Sequence, residues 1–410
     1  MTNPAEDVFG ELIGQDAVVA QLRAAAADAP AARAGQPSTA MTHAWLITGP
    51  PGSGRSTAAL ALATALVCPT GGCGTCEECM LVRHSSHADV EHVIPEGVDY
   101  LRAEADALMH SAALAPTRSL WHVFVLEDAD RLTEVVGNSM LKSIEEPTPG
   151  TVWILCAPSA QDVLPTIRSR CRHVTLATPS TTAVAAGLVS SLGVDPAMAS
   201  FAARASQGHI GRARALATDE AARLRRQDVL RIPLQLGDLG SCLALAADLV
   251  ETVNADAAAM CDPLDAREDA ALRAVYGDGA QGKGLGTVER RAKGAFKDMQ
   301  ERHKRRRRRV VRDQLDRAIV DLIGFYRDVL VIQLGAHTEL VNAEMRPQIE
   351  RVASASQPPE TLLRVDALER TRNLLAANVP ALLAFESLTV TLKDPSLASS
   401  GAVRRDRVTG

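Results

Sequence analysis

Aromatic residues are scarce: 3 Trp, 3 Tyr and 6 Phe among 410 residues. With 46% apolar and 23% charged residues, that scarcity describes an Ala-rich, largely helical globular protein. No apolar run approaches the ~18 residues a membrane helix needs, which excludes a spanning helix. The start, MTNPAEDVFG, has neither a basic n-region nor an apolar h-region, so the expected location is cytoplasmic. Eight Cys are too few for a disulfide scaffold. A dominant charge is also missing: 44 Lys and Arg against 49 Asp and Glu leave a net −5, which neither requires nor excludes nucleic acid. The length excludes a single small module and predicts two to four domains.

Four of the cysteines crowd into CPTGGCGTCEEC. Cys68, Cys73, Cys76 and Cys79 read C-x4-C-x2-C-x2-C, a spacing that lets short loops bring four thiolates round one tetrahedral ion. Gly71, Gly72 and Gly74 permit the tight turns this needs. Structural zinc is the expected occupant, and an iron–sulfur cluster takes the same four ligands. Cys156, Cys171, Cys242 and Cys261 stand alone among apolar neighbours and read as small buried hydrophobes.

His43–Thr48 is a short apolar run of strand type, followed by GPPGSGRST and an Ala/Leu helix. Gly49, Gly54 and Ser56, with Gly52 and Thr57 in the same loop, match the phosphate-binding pattern G-x4-G-K-[ST] except at one position. There Arg55 replaces lysine, a planar fork in place of a compact ammonium. A second strand, Val123–Leu126, ends in Glu127 and Asp128, the reverse of the Asp-Glu order that holds magnesium and aligns water in ATPases of this type. Both a crippled nucleotide site and a purely structural carboxylate pair are open readings. Gly277, Gly279 and Gly282 also spell G-x-G-x-x-G, but no strand precedes them, and a flexible loop is expected.

Further on come NSMLKSIEEP, with Asn138, Leu141, Lys142, Glu145, Glu146 and Pro147, a buried strand at Val152–Cys156, and LPTIRSRC, with Ser169, Arg170 and Cys171. With FGELIGQ near the start (Phe9, Gly14, Gln15), these pieces resemble the clamp-loader branch of the AAA+ ATPases over about the first 220 residues. A cysteine insertion after the phosphate-loop helix occurs in two members of that branch, the gamma/tau and delta prime subunits of DNA polymerase III. Arg55, the Glu127–Asp128 order, and Gly211 where the lid's sensor arginine belongs (Arg212 and Arg214 being out of register) make the chain similar to the non-motor delta prime type.

The resemblance implies an α/β P-loop (AAA+) domain with an inserted zinc module (residues 1–177, insertion 68–79), a small helical lid domain (178–232) and an all-α C-terminal collar domain (233–395). A tail follows at 396–410. It implies a degenerate nucleotide site of Gly49, Gly52, Gly54, Arg55, Ser56, Thr57, Glu127 and Asp128, for which ATP and magnesium would be the cofactors. Its own ATPase activity is expected to be absent. Arg170 is implied as an arginine finger acting on a neighbouring subunit's ATP. The implied partners are the gamma/tau and delta subunits in a hetero-oligomer, the sliding clamp indirectly, and primed DNA through the complex, with no membrane. Two alternatives stand beside this reading: an active gamma/tau-type motor, and a zinc-containing DNA-binding module with a relic AAA+ core. No residue points to polymerase chemistry.

Beyond residue 235 no strand pattern appears. Leu315, Ile319, Leu322, Ile323, Tyr326 and Leu330 lie on one helical face, expected to be bundle core. RTRNLLAANVPALLAFESLTV, with Asn373, Asn378, Leu382, Leu383 and Glu386, resembles the last collar helix. Within the basic insertion at about 277–312, residues 290–312 hold 12 Lys and Arg against Asp298 and Glu301, a local +10 that leaves −15 elsewhere. A solvated helix extension, sequence-blind contact with DNA and docking to an acidic partner all fit that run.

Overall fold

The structure, a computed structural model, describes residues 7–95, 97, 99–276 and 286–397, without the side chains of 286–291. The Gly277–Gly282 loop and the tail from 398 lie outside the described residues. The chain divides into two compact units, before and after residue 218.

The first unit is built on a parallel sheet. Its strands are β1 (Ala44–Thr48), β2 (Val90–Val93), β3 (His122–Leu126), β4 (Thr151–Ala157) and β5 (Arg172–Thr175), in the order β2-β3-β4-β1-β5. β1, β3 and β4 are buried along their whole length, as strands covered on both faces must be. Because side chains alternate, Trp45, Ile47, Val123, Val125, Val152 and Ile154 enter one core layer, and Ala44, Leu46, Phe124, Leu126, Trp153 and Leu155 the other. The helices of the sheet domain are α1 (Asp16–Arg33), α2 (Arg55–Val67), α3 (Glu77–Arg83), α4 (Arg102–Ala112), α5 (Glu134–Glu145) and α6 (Pro165–Arg168). α1 and α2 fill the first layer, α4 and α5 the second. The strand order reverses at β1, so the crevice beyond its carboxyl end is where an open α/β sheet takes a ligand.

The FGELIGQ segment latches onto the chain leaving β5. Phe9 is buried, Gln15 Nε2 donates to the Ala177 carbonyl at 2.7 Å, and the Ala177 amide donates back to Gln15 Oε1 at 3.3 Å. Three short helices then pack on one another: α7 (Thr181–Leu192), α8 (Pro196–Ala205) and α9 (Ile210–Thr218).

The second unit is all helix among its described residues: α10 (Glu220–Gln235), α11 (Leu239–Tyr276), α12 (Gly286–Gln333), α13 (Arg346–Ser354), α14 (Pro358–Ala376) and α15 (Ala381–Lys393). The expected stripe is core: Leu315, Ile319, Leu322 and Tyr326 are at most 1% exposed. The segment read as one last helix is two. α14 ends at Ala376, Asn378 takes the left-handed conformation (φ +59°) and Pro380 caps α15, so the helical backbone is interrupted over 377–380. Arg226 is buried in this core, with Nε 3.1 Å from Asp321 and Nη1 3.1 Å from Glu344. No described helix is long and apolar enough to cross a membrane.

Candidate functional site

The loop from β1 to α2 turns through three glycines in conformations that L side chains rarely adopt, Gly49, Gly52 and Gly54 (φ +158°, +81° and +99°). α2 begins at Arg55, so Arg55, Ser56 and Thr57 form its first turn, where free amide groups face an anion. Arg55 Nη1 and Ser53 Oγ are both buried and find no hydrogen-bond partner among the described residues.

The loop carries a cover from its own unit. A Cβ added to Gly52 would lie 2.1 Å from Cγ of His209, so only glycine fits beneath that ring. The Ile210 amide, opening α9, donates to the Gly52 carbonyl at 2.9 Å. His209 Nδ1 also accepts from the Arg212 amide at 3.2 Å, which sets the ring's orientation. Gly211 lies beside His209, and Arg214 reaches Glu11 at 3.9 Å.

Glu127, at the end of β3, faces the start of α2. Burial would raise its carboxyl pKa, but hydrogen bonding to His92 and Ser56 and the charges of His92 and Arg55 bring it below the ordinary range. His92 Nε2 lies 3.1 Å from Glu127 Oε1, and the Tyr100 hydroxyl donates to the Glu127 carbonyl. Asp128 takes a left-handed turn (φ +50°) that small polar residues tolerate, and its carboxylate lies 3.5 Å from Arg131 Nε. The two carboxylates therefore diverge: Glu127 shares Ser56's neighbourhood while Asp128 engages the following helical turn.

His92, Tyr100 and His209 were not among the residues expected at this site. His209 lies inside GHIGRARAL, the stretch read for a sensor arginine. Nothing in its spacing marks a contact with a loop more than 150 residues earlier.

Arg170 is placed elsewhere. It follows α6 on the surface, paired with Glu145 of the NxxLKxxEEP motif, with Nη1 donating to the Thr166 carbonyl at 2.8 Å. Among the described residues it touches neither the phosphate loop nor Glu127 and Asp128.

The four clustered cysteines come together. Cys68 caps the end of α2, Cys76 precedes α3 and Cys79 lies within it. Sγ–Sγ distances are 3.8 Å (Cys68–Cys73), 3.6 Å (Cys68–Cys76) and 3.5 Å (Cys76–Cys79), and all four atoms fall within 4.8 Å of one another. Sulfurs at tetrahedral corners about 2.3 Å from a zinc ion stand about 3.8 Å apart, so the donor set fits such an ion. Gly71, Gly72 and Gly74 all have positive φ (+75°, +102° and +75°). A Cβ on Gly72 would lie 2.6 Å from Val8, where the module docks on the N-terminal segment. As thiols the four are unequal. The Thr75 amide, chief among several hydrogen bonds, draws Cys73 down to about 5, whereas burial pushes Cys79 up. A bound dication removes that difference by holding all four as thiolates. Of the lone cysteines, Cys156, Cys242 and Cys261 are buried and Cys171 is half-buried.

A family model described as DNA polymerase III, delta subunit, matches residues 33–180. The delta' subunit of DNA polymerase III from Bacillus subtilis is 33% identical over 135 residues, 32% of this chain and 41% of its own. That of Escherichia coli is 35% identical over 147 residues, 33% and 43% of the two chains. The gamma/tau subunit of Mycobacterium tuberculosis is 33% identical over 174 residues, 40% and 28%. The chain thus spans less than half the length of these relatives. A solved gamma subunit-related protein of Thermotoga maritima aligns over 86% of this chain and 94% of its own, at 15% identity and a TM-score of 0.38, too low to argue from. Over residues 33–180, then, the sequence is similar to the DNA polymerase III delta family model, and part of the chain is similar to the delta' and gamma/tau subunits of that polymerase.

Proposed function

We propose that the chain is a non-motor ring subunit of the DNA polymerase III clamp loader, delta prime in role, cytoplasmic and hetero-oligomeric with gamma/tau and delta subunits. It helps those partners load a sliding clamp onto primed DNA. Residues 1–177 serve as its AAA+ domain, α7 to α9 as its lid and the helical second unit as its collar. The expected lid–collar boundary at 232 falls inside α10, whose Val229, Leu230 and Ile232 belong to the second unit's core. Structural zinc fills the four-cysteine centre. One observation carries the reading: the phosphate loop is closed by its own unit, with His209 against Gly52 and the Ile210 amide on its carbonyl. Arg55 and the divergence of Glu127 and Asp128 support it. A loop in this state lacks the point charge and the pair of aligned carboxylates that phosphoryl transfer uses.

Arg170 then acts in trans. Its surface position and its hold on Glu145 suit a side chain presented to a neighbour's nucleotide, where an arginine stabilises charge developing on the transferred phosphoryl group. In a reconstituted loader, Arg170→Ala lowers single-turnover hydrolysis at the facing site by on the order of 10³-fold, the lower end for in-trans arginines, and leaves assembly intact. Unchanged hydrolysis overturns the assignment.

A second reading is favoured by Arg55 Nη1 and Ser53 Oγ, both buried without a partner. A phosphate bound by the loop would give such groups a partner, and the nucleotide would be held without turnover. Titration with ATP and magnesium separates the two readings.

A further inference from the structure

We propose that the antiparallel pair α11–α12 is a nucleic-acid backbone contact, using Arg302, Arg305 and Arg308 with Lys297 on the face of α12 turned away from α11. The inference is independent of the ring-subunit reading.

Its basis is a division of labour within the basic run. Cations on one side of α12 are consumed inside the pair. Arg306 Nη1 and Nη2 lie 2.7 Å from Asp265 and 2.7 Å from Glu268; Arg307 pairs with Asp262; His303 Nε2 lies 2.9 Å from Glu268. These contacts join residues 303–307 to 262–268 in antiparallel register and account for part of the run as structure. Residues 258–276 and 286–312 together still hold 14 Lys and Arg against 7 Asp and Glu. The excess is on the other side. At 100° per residue, Arg302, Arg305 and Arg308 form a stripe centred roughly 150° from His303, Arg306 and Arg307. Arg302, Arg308 and Lys297 are exposed, Arg305 is half-buried, and none of the four is in an ion pair among the described residues. Two acids share that face: Glu301, held by Lys304 at 2.9 Å, and Asp298, exposed one turn before Arg302, so the four cations stand against two carboxylates there.

The shape of the charge selects the partner. From Arg302 to Arg308 the helix rises about 9 Å, the length over which one strand of duplex DNA presents about three phosphates. A protein partner would need an apolar or aromatic centre to dock on, and residues 300–309, QERHKRRRRR, offer none. The same absence of aromatics leaves no base-stacking platform, so recognition is of phosphate and blind to sequence.

The test uses the full chain and a fluorescent 30-base-pair duplex of arbitrary sequence, with the single strand in parallel, titrated from low to moderate salt. Replacing Arg302, Arg305 and Arg308 together by Gln is expected to weaken binding roughly tenfold or more at low salt. The slope of log K against log salt should fall by two to three on the duplex and by about two on the single strand. The corresponding Lys triple variant should keep affinity and slope close to the parent, since the contact is with charge. Unchanged affinity and slope in the Gln variant overturn the proposal, including the case where that variant instead loses an acidic protein partner. An equal loss in the Lys variant also overturns it, because the arginines would then be acting through structure.

Discussion

Asp89 shows how a single buried carboxylate can hold a loop. It is 1% exposed and accepts from the backbone amides of Thr117, Arg118 and Ser119 at 2.6, 2.7 and 2.7 Å, and from the Thr117 hydroxyl at 2.9 Å. Burial alone would raise its pKa, but the three amides reverse that and bring it to about 2. Since the folded value lies below the unfolded one near 3.9, the stabilisation is fully present above about pH 4 and is lost as pH falls through about 2. Asp89→Asn is expected to cost about 2 kcal/mol at neutral pH and to flatten the acid limb of stability. Denaturant titrations at pH 7 and 3 check both. His209 sets a second residue-scale expectation. If its ring keeps the phosphate loop closed, Arg55→Lys alone leaves ATP affinity low, and Arg55→Lys with His209→Ala raises it tenfold or more, about 1.4 kcal/mol. Equal affinities for the two variants, measured calorimetrically, would remove His209 from the account.

At the scale of elements, the cysteine module and the α11–α12 pair differ in how legible they were. The spacing of Cys68, Cys73, Cys76 and Cys79 named its own cluster, because four ligands within twelve residues have few ways to converge. One zinc per colourless chain is expected by elemental analysis. Chelation should destabilise α3 first, exposing the four thiols to a thiol reagent before the first unit unfolds. Iron with visible absorbance would favour the cluster instead. The basic run of α12 was legible as charge but not as structure. Periodicity shows that a helix has faces, not which one meets α11, so the pairing of Arg306 with Asp265 and Glu268 needed the fold. Arg226 was equally silent in the sequence. Its pairs with Asp321 and Glu344 join residues 95 and 118 apart, and Arg226→Ala is expected to cost roughly 3–5 kcal/mol by breaking a buried ion pair. Urea unfolding of the full chain measures it.

At the scale of the whole molecule, β1, β3 and β4 were readable from continuous apolar runs and the glycine loop, whereas β2 and β5, short and only partly buried, carry no such run. The Asn378–Pro380 break was missed because a resemblance to one helix outweighed two residues that end helices. The family match, residues 33–180, falls within the first unit. What ties the molecule together functionally is the claim that its phosphate loop is closed and its chemistry is lent outward through Arg170. Calorimetric titration of the full, metal-replete chain with ATP and magnesium tests that claim most directly. A closed loop gives no hydrolysis and no heat of binding up to millimolar ATP; tight binding with turnover abolished by Glu127→Gln would instead make the chain a motor.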